Sequence, residues 1–215
     1  MSNDIAQQLA ALSTSAISDA TGGEGVMSPG LVRIGGGTAT VAGPAVTAES
    51  ADGSVFAVFG ALDRARPGDV LCMTAPGSTA YLGDMVANDI ANRGLAAVVV
   101  DGLVRDAEAL AELPVAFFAR GTSPLARRGP GAGRSMVAIE LGGVLVGAGD
   151  WVVADGDGVV AIPGAGVEEV LGRAEEAADV EARMMARVKA GATLPEAIRA
   201  ERGVDWDRLV SGGAS

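Results

Sequence analysis

The stretch from Gly83 to Asp106 constrains the fold of this 215-residue chain more than any other part of it. It begins with a helical pattern that ends at Gly94. An apolar run, Leu95–Val100, then predicts a buried strand that ends at Asp101-Gly102. A helix of about ten residues rises roughly 15 Å and a six-residue strand covers roughly 20 Å. A strand running back along the helix would therefore end beside the first turn of that helix, which predicts one pocket at the two ends of the stretch.

These two ends carry groups that suit a metal ion and an anionic substrate. Arg105 can hold a carboxylate through two parallel hydrogen bonds, and the carboxylates of Asp84 and Asp106 suit a hard cation. The helix start at Gly83–Val86 offers free backbone N–H groups to an anion. Two other interpretations stay open at this point: a surface arginine beside a helix-capping Asp106, and an ordinary helix start in which Asp84 faces the helix dipole.

Histidine is absent from the chain. This excludes Ser-His-Asp and Cys-His nucleophiles, zinc sites with histidine ligands and phosphohistidine chemistry. Any metal must then be held by oxygen ligands, which points to Mg²⁺ or Mn²⁺. The single cysteine, Cys72, lies in an apolar run and is expected to be a buried structural thiol, so no disulfide forms within the chain.

Charge and hydropathy limit the partners that we expect. The net charge of −11 and the pI of about 4.4 argue against binding to nucleic acid. No apolar run approaches the roughly 18 residues of a membrane span, and the first residues lack the basic region of a signal peptide. A cytoplasmic protein without a membrane partner is expected.

The remaining pattern is that of an α/β chain with a β-rich second half. Strand signals separated by glycine-rich turns cluster between residues 136 and 162, and a helix is predicted from Val167 towards Lys189. An earlier strand, Thr38–Ala48, is expected to break at Pro44. Without repeats or a clear linker, the length favours one domain.

Four further motifs have a simple structural interpretation. Asp155–Gly158 has the composition of a metal-binding loop but is expected to be a hairpin turn. Gly35–Gly37 is expected to be a turn and Met184-Met185 a helix-packing pair. Glu49 and Asp52 follow a strand end and are interpreted as surface residues.

Several segments, in matching order and spacing, resemble the RraA-like family, and in particular its 4-hydroxy-4-methyl-2-oxoglutarate aldolases. The matching segments are SAISDA (Ser15–Ala20), ARPGDVL (Ala65–Leu71), GDMVA (Gly83–Ala87), GLAAVVVDGLVRD (Gly94–Asp106), FARGTSP (Phe118–Pro124) and GGVLVGAGDWVVADGDGVVAIP (Gly142–Pro163). The aldolase branch has an Asp, twenty intervening residues and then Arg-Asp, which matches Asp84, Arg105 and Asp106.

The resemblance implies an α/β fold, a swivelling β/β/α domain with a C-terminal helical extension. A single domain would span residues 1–215, with its core at about 13–163 and its C-terminal helices at about 167–202. Family members of this type assemble into trimers or hexamers, with active sites between subunits.

The resemblance also implies a class II pyruvate aldolase that cleaves 4-hydroxy-2-oxo acids, with oxaloacetate decarboxylation as a side activity. Asp106 would hold Mg²⁺ or Mn²⁺, Arg105 would hold the 2-oxo acid carboxylate, and Gly83, Asp84, Met85 and Val86 would surround the substrate. Arg105 and Asp84 are thus the expected catalytic residues. The only lysine, Lys189, lies on the C-terminal helix, which fits a metal-dependent route better than a Schiff base.

Two other functions remain open. Some relatives regulate ribonuclease E by binding it without catalysis, although an acidic residue at position 84 favours the aldolase branch. The chain also departs from the family pattern at Ser50–Gly53, at Gly22–Leu31 and at Met136–Leu141. These departures keep open a lyase or decarboxylase recruited to a specialised pathway.

Overall fold

The chain is described from a computed structural model, which covers residues 2–50, 55–75, 77–126 and 132–204. Within these ranges the helices are α1 (Ser2–Ala10), α2 (Thr14–Thr21), α3 (Phe56–Leu62), α4 (Asp84–Asn92), α5 (Ala107–Ala111), α6 (Val167–Lys189) and α7 (Leu194–Arg202). The strands are β1 (Val32–Gly35), β2 (Val41–Ser50), β3 (Val70–Thr74), β4 (Ala80–Leu82), β5 (Ala97–Val104), β6 (Ala116–Thr122), β7 (Gly133–Ser135), β8 (Ile139–Leu141), β9 (Val144–Val146), β10 (Trp151–Ala154) and β11 (Val159–Ile162).

A curled mixed sheet organises the described residues. Its strand order is β1-β6-β5-β3-β2-β10-β11, with β4 added beside β5 and β7 beside β2. The neighbours from β2 to β6 are parallel, whereas β1, β7, β10 and β11 pair antiparallel. Strands β8 and β9 form a separate hairpin. This architecture, with its C-terminal helices, confirms the predicted α/β fold class.

Strand β2 joins the two parts of the sheet. Its residues up to Pro44 pair with β10, and its residues from Ala45 onwards pair with β3. The prediction that Pro44 breaks the strand is therefore wrong. The proline lies where one partner ends and the other begins, a position at which a missing backbone N–H interrupts no continuous ladder.

Strand β5 contains a β-bulge. It is in register with β6 up to the Val100–Ala119 pair and again from the Leu103–Gly121 pair. Between these pairs β5 has two residues, Asp101-Gly102, and β6 has one, which defines the bulge. The prediction that the strand ends at Asp101-Gly102 is therefore wrong, because it continues through the bulge to Val104.

Three groups of apolar side chains form the core. One sheet face packs against α3, α4 and α5, through residues such as Leu62, Ile90 and Leu110. The other face carries Cys72 and Phe118 and packs on the β8–β9 hairpin. The third group packs α1, α2 and α6 on β10 and β11.

The C-terminal helices follow the sequence pattern closely. Helix α6 packs through Val167, Leu171 and Ala174. Thr193 and Glu196 form a capping box at the start of α7, in which each satisfies a backbone N–H of that helix end. In the part of the chain that the structure describes, no helix combines the length and apolar character needed to cross a bilayer.

Candidate functional site

Helix α4 begins at the edge of the sheet, directly after β4. Gly83 is its N-cap residue and has an extended backbone, with φ −137°. Ala87 and Ile90 are buried and fix one face of the helix on the core. Met85 in the first turn is 79% exposed. The start of α4 is thus held on the sheet and open on its outer side.

The end of β5 lies against this helix start. The backbone N–H of Arg105 donates to Leu82 O at 2.9 Å, which continues the pairing of β5 with β4. Asp106 follows with a left-handed backbone, φ 59° and ψ 43°, a conformation that aspartate adopts more readily than most residues. This turn leads into α5, although the Asp106 side chain makes no capping bond to α5.

The Asp106 carboxylate binds the first turn of α4 instead. Its Oδ2 atom accepts the Asp84 backbone N–H at 3.1 Å and lies 3.3 Å from Arg105 Nε. The predicted meeting of the two ends of the Gly83–Asp106 stretch is therefore present in the structure. Asp106 satisfies one of the N–H groups that a helix start leaves without a partner.

Gly83 makes this approach possible. A Cβ atom built at position 83 would overlap Asp106 Oδ2 and lie 2.7 Å from Arg105 Nε. The backbone of Gly83 is extended, so its role is to leave space rather than to adopt a conformation that other residues avoid.

The expectation of free N–H groups at Gly83–Val86 needs a correction. The Asp84 N–H is bound to Asp106, and the Met85 N–H donates to Asp84 Oδ1 at 2.7 Å. Two of the predicted donors are thus engaged by carboxylates of the site itself. The substrate-binding roles of Gly83, Asp84, Met85, Val86 and Arg105 remain predictions.

The donor set fits a hydrated Mg²⁺ or Mn²⁺ ion. No group of three or more His, Cys, Asp or Glu residues that could hold a metal occurs in residues 2–50, 55–75, 77–126 and 132–204. Mg²⁺ is usually bound through one or two carboxylates while it keeps several waters. The Asp106 side chain is partly exposed. Its contacts with the Asp84 N–H and with Arg105 Nε both involve Oδ2, and neither involves Oδ1.

An ion pair that the sequence pattern does not predict lies close to this site. Asp101, in the bulge of β5, accepts Arg120 Nε at 2.7 Å and the Gly142 backbone N–H at 2.7 Å. Burial favours a raised pKa for Asp101, but these bonds outweigh it and lower the pKa below its ordinary value. The available signal was a carboxylate within a run of buried valines.

Among the other motifs, the Asp155–Gly158 turn has the structural role that was expected of it, whereas Glu49 and Met185 do not. Asp155 begins the β10–β11 turn, and its carboxylate accepts the Thr14 hydroxyl at 2.6 Å and the Thr14 N–H at 2.8 Å. Glu49 does not follow the strand end, as predicted, but lies within β2, where its carboxylate pairs with Arg134 at 2.6 Å. Asp52 lies outside the described residues. Met184 and Met185 lie within α6, and Met185 is 48% exposed, so it does not serve as a buried packing residue in this chain.

The fold and the site define an α/β domain with an acidic, oxygen-donor site at the junction of a strand end and a helix start. The family model described as RraA-like, Aldolase/RraA, matches residues 14–161. The chain belongs to the RraA-like family.

Some similar proteins are named as enzymes, and others are named as members of a family of ribonuclease regulators. A protein of Halalkalibacterium halodurans, provisionally named a 4-hydroxy-4-methyl-2-oxoglutarate aldolase, is 42% identical over 146 residues, which are 66% of this chain and 70% of that protein. The structure of Streptomyces coelicolor RraAS2, described as an unusual member of the RNase ES inhibitor RraA family, superimposes with a TM-score of 0.72 at 30% identity, covering 83% of this chain and 93% of that one. An uncharacterised Pseudomonas syringae protein has the same fold, with a TM-score of 0.81 at 23% identity over 93% and 95% of the two chains.

Proposed function

We propose that this protein is a divalent-metal-dependent aldolase that cleaves 4-hydroxy-2-oxo acids, such as 4-hydroxy-4-methyl-2-oxoglutarate, to pyruvate. The observation that carries the proposal is the convergence of Arg105, Asp106 and the Asp84 N–H at one point beside Gly83. The names of the similar proteins support the aldolase class.

Each residue has a distinct task in this proposal. Asp106 holds Mg²⁺ or Mn²⁺, and Arg105 holds the carboxylate of the 2-oxo acid through charge-assisted hydrogen bonds. The backbone of Gly83–Val86 borders the substrate, and Asp84 supplies a second carboxylate at the helix start. When bound, the cation supplies the positive charge that stabilises the negative charge developing on the 2-oxo oxygen. Oxaloacetate offers the same 2-oxo carboxylate, so its decarboxylation is proposed as a side activity.

The test is pyruvate release from 4-hydroxy-4-methyl-2-oxoglutarate, measured by coupled oxidation of NADH with lactate dehydrogenase. We expect turnover that EDTA abolishes and that added Mg²⁺ or Mn²⁺ restores. Arg105→Ala should lose about 100-fold or more in kcat/KM. The matched control is Arg93→Ala, since Arg93 lies at the other end of α4 and pairs with Asp89 at 3.1 Å. Full activity in EDTA or in Arg105→Ala would exclude this mechanism.

We further propose that the active sites lie between the subunits of a trimer or hexamer. Met85 beside the site is 79% exposed, and Leu125, whose carbonyl accepts the Ala80 N–H of β4, is 58% exposed. Apolar side chains with such exposure are suited to a subunit contact. Light scattering of the purified protein should give three or six times 21.3 kDa, and Met85→Glu should reduce both the mass of the oligomer and the turnover. A fully active monomer would contradict the proposal.

A non-catalytic ribonuclease regulator is the second candidate, because RraAS2 is 30% identical and shares the fold. Fold alone does not distinguish the two functions. Stable binding to a ribonuclease E-type enzyme, together with no turnover of any 2-oxo acid, would favour regulation. Pyruvate release without such binding would favour the aldolase.

A further inference from the structure

The bulge in β5 immediately precedes the residues of the candidate site. Asp101 and Gly102 face a single residue of β6, Arg120. A bulge bends its strand and re-aims the residues that follow it, and bulges are frequent next to active sites. In β5 the residues that follow are Arg105 and Asp106.

Asp101 anchors this bulge on three sides. Its Oδ1 accepts Arg120 Nε and its Oδ2 accepts the Gly142 N–H, both at 2.7 Å. Its backbone carbonyl accepts the Ala75 N–H at 3.1 Å. The side chains of Asp101 and Arg120 are only 26% and 29% exposed. The carboxylate of Asp101 thus ties β5 to β6 and to the turn before β9, and its backbone carbonyl ties β5 to the end of β3.

Two neighbouring contacts hold the bulge in place. A Cβ at Gly102 would overlap the Ala75 carbonyl oxygen, so the bulged backbone lies directly against the end of β3. Arg120 also donates to Pro29 O at 2.9 Å and to Ser28 Oγ at 2.8 Å. The guanidinium that binds Asp101 is therefore fixed by the loop before β1.

The bulge sets the register of the last part of β5. After it, Leu103 and Val104 pair with β4. The Arg105 N–H then binds Leu82 O, the residue before Gly83. This pairing places the Asp106 carboxylate within reach of the Asp84 N–H, so an error in register at the bulge would be transmitted to the site.

We propose that Asp101 is a positioning residue, which acts through the β5 bulge to hold Arg105 and Asp106 against the start of α4. This inference rests on the proposed function in one respect, namely that the binding of metal and substrate depends on the position of Asp106. The geometric part holds whatever the protein binds.

The test compares Asp101→Asn with Asp155→Asn. Both positions are partly buried carboxylates that accept a backbone N–H and a side-chain donor. Asp155, however, holds the start of α2 and not the bulge. The readouts are amide hydrogen exchange at the Asp84 N–H by NMR, Mn²⁺ binding by electron paramagnetic resonance, and the kcat and KM for pyruvate release.

We expect Asp101→Asn to accelerate exchange at the Asp84 N–H at least about tenfold and to weaken Mn²⁺ binding about 10- to 100-fold. Asp155→Asn should lower the free energy of unfolding by a comparable amount, with no change in exchange at the Asp84 N–H or in Mn²⁺ binding. Arg120→Gln removes the same ion pair from the other side and is the second variant if Asp101→Asn does not fold. It should reproduce both effects.

Equal Asp84 exchange in Asp101→Asn and Asp155→Asn would overturn the proposal, because the role of Asp101 would then be general stability. Unchanged exchange in Arg120→Gln would overturn it as well. If the wild-type protein neither binds Mn²⁺ nor releases pyruvate, the proposed function fails, and the Asp84 exchange rates still decide the positioning role.

Discussion

Gly83 and Asp106 are so close that a methyl group on Gly83 would overlap the carboxylate oxygen Oδ2. The only way to accommodate a larger residue at position 83 is to move Asp106 or Arg105. The need for glycine at the N-cap of α4 is therefore set by Arg105 and Asp106, which follow the end of β5.

Gly83→Ala should damage the site and leave the fold intact. Because φ at Gly83 is −137°, alanine meets no backbone strain there, and its methyl group displaces Asp106 from the Asp84 N–H. We expect a loss of about 100-fold in kcat/KM, as for a misplacement of about 1 Å in a catalytic group. The measurement is pyruvate release at saturating Mg²⁺.

The matched control for this glycine is Gly172→Ala in α6. Apart from the adjacent residues and the backbone of its own helix, no atom of the described residues lies within 4 Å of a Cβ at position 172. Alanine should therefore stabilise the helix by roughly 0.5–1 kcal/mol without altering turnover. Similar activities in the two variants would show that the space at Gly83 does not matter.

Asp106→Asn and Asp106→Ala should differ in their free energy of unfolding, and both should lose Mn²⁺ binding. Asparagine tolerates the left-handed backbone of position 106, whereas alanine there costs about 1–2 kcal/mol. Both substitutions remove the charge, so both should abolish Mn²⁺ binding. Urea denaturation measures the first difference and Mn²⁺ titration the second. Wild-type Mn²⁺ affinity in Asp106→Asn would exclude Asp106 as the metal ligand.

The contact between Asp155 and Thr14 should appear in acid unfolding. Burial favours a raised pKa for Asp155, but the hydrogen bonds from Thr14 and from the Asp157 N–H lower it below the ordinary value of 3.8. A lowered pKa in the folded state contributes stability above the ordinary pKa, and this stability is lost as the pH falls through the folded pKa. Asp155→Asn should therefore cost about 1–2 kcal/mol at neutral pH and progressively less below roughly pH 4.

The control for this pH dependence is Asp157→Asn, which removes an exposed carboxylate from the same turn. Its free energy of unfolding should stay within about 0.5 kcal/mol of the wild type. If the free energies of unfolding of wild type and Asp155→Asn differed by the same amount at every pH, the lowered pKa of Asp155 would be contradicted.

Cys72 should be inert in the native protein. Burial raises its pKa to about 12, with a further contribution from the charge of Asp150, so almost no thiolate exists at neutral pH. A thiol reagent such as DTNB should label it only at the rate of unfolding. A Leu145→Cys variant, at a position that is 72% exposed in the wild type, should react at once with one equivalent. Rapid labelling of wild-type Cys72 would show that the strand opens.

Local patterns were sufficient for much of the fold. The Asp155–Gly158 turn and the apolar spacing from Val167 predicted the β10–β11 hairpin and α6 with nearly correct bounds, because turn residues and helical periodicity are local properties. The meeting of Asp84 with Asp106 could also be predicted, since one helix and one returning strand have similar lengths.

The contacts of Asp101 could not be predicted in the same way. The apolar run predicts that the strand ends at Asp101-Gly102, although an isolated glycine in a strand pattern also indicates a bulge. Whether such a glycine ends a strand or belongs to a bulge depends on the pairing with the partner strand. Here the facing residue of that strand, Arg120, lies 19 residues further along the chain. The prediction for Pro44 is wrong for a related reason, because a proline is tolerated in β2 only if the strands that pair with its two sides leave position 44 without a continuous ladder.

The bond between Thr14 and Asp155 has a consequence for how the chain is made. The two residues are 141 positions apart, and β2 likewise pairs with β10, which lies about a hundred residues later in the chain. A nascent chain leaving the ribosome can complete the parallel strands β2, β3, β5 and β6 first. The start of α2 and one edge of β2 must wait until the β10–β11 hairpin has been synthesised. A chain truncated before residue 151 would therefore leave the ribosome with the candidate site already encoded and an open sheet edge where β10 belongs.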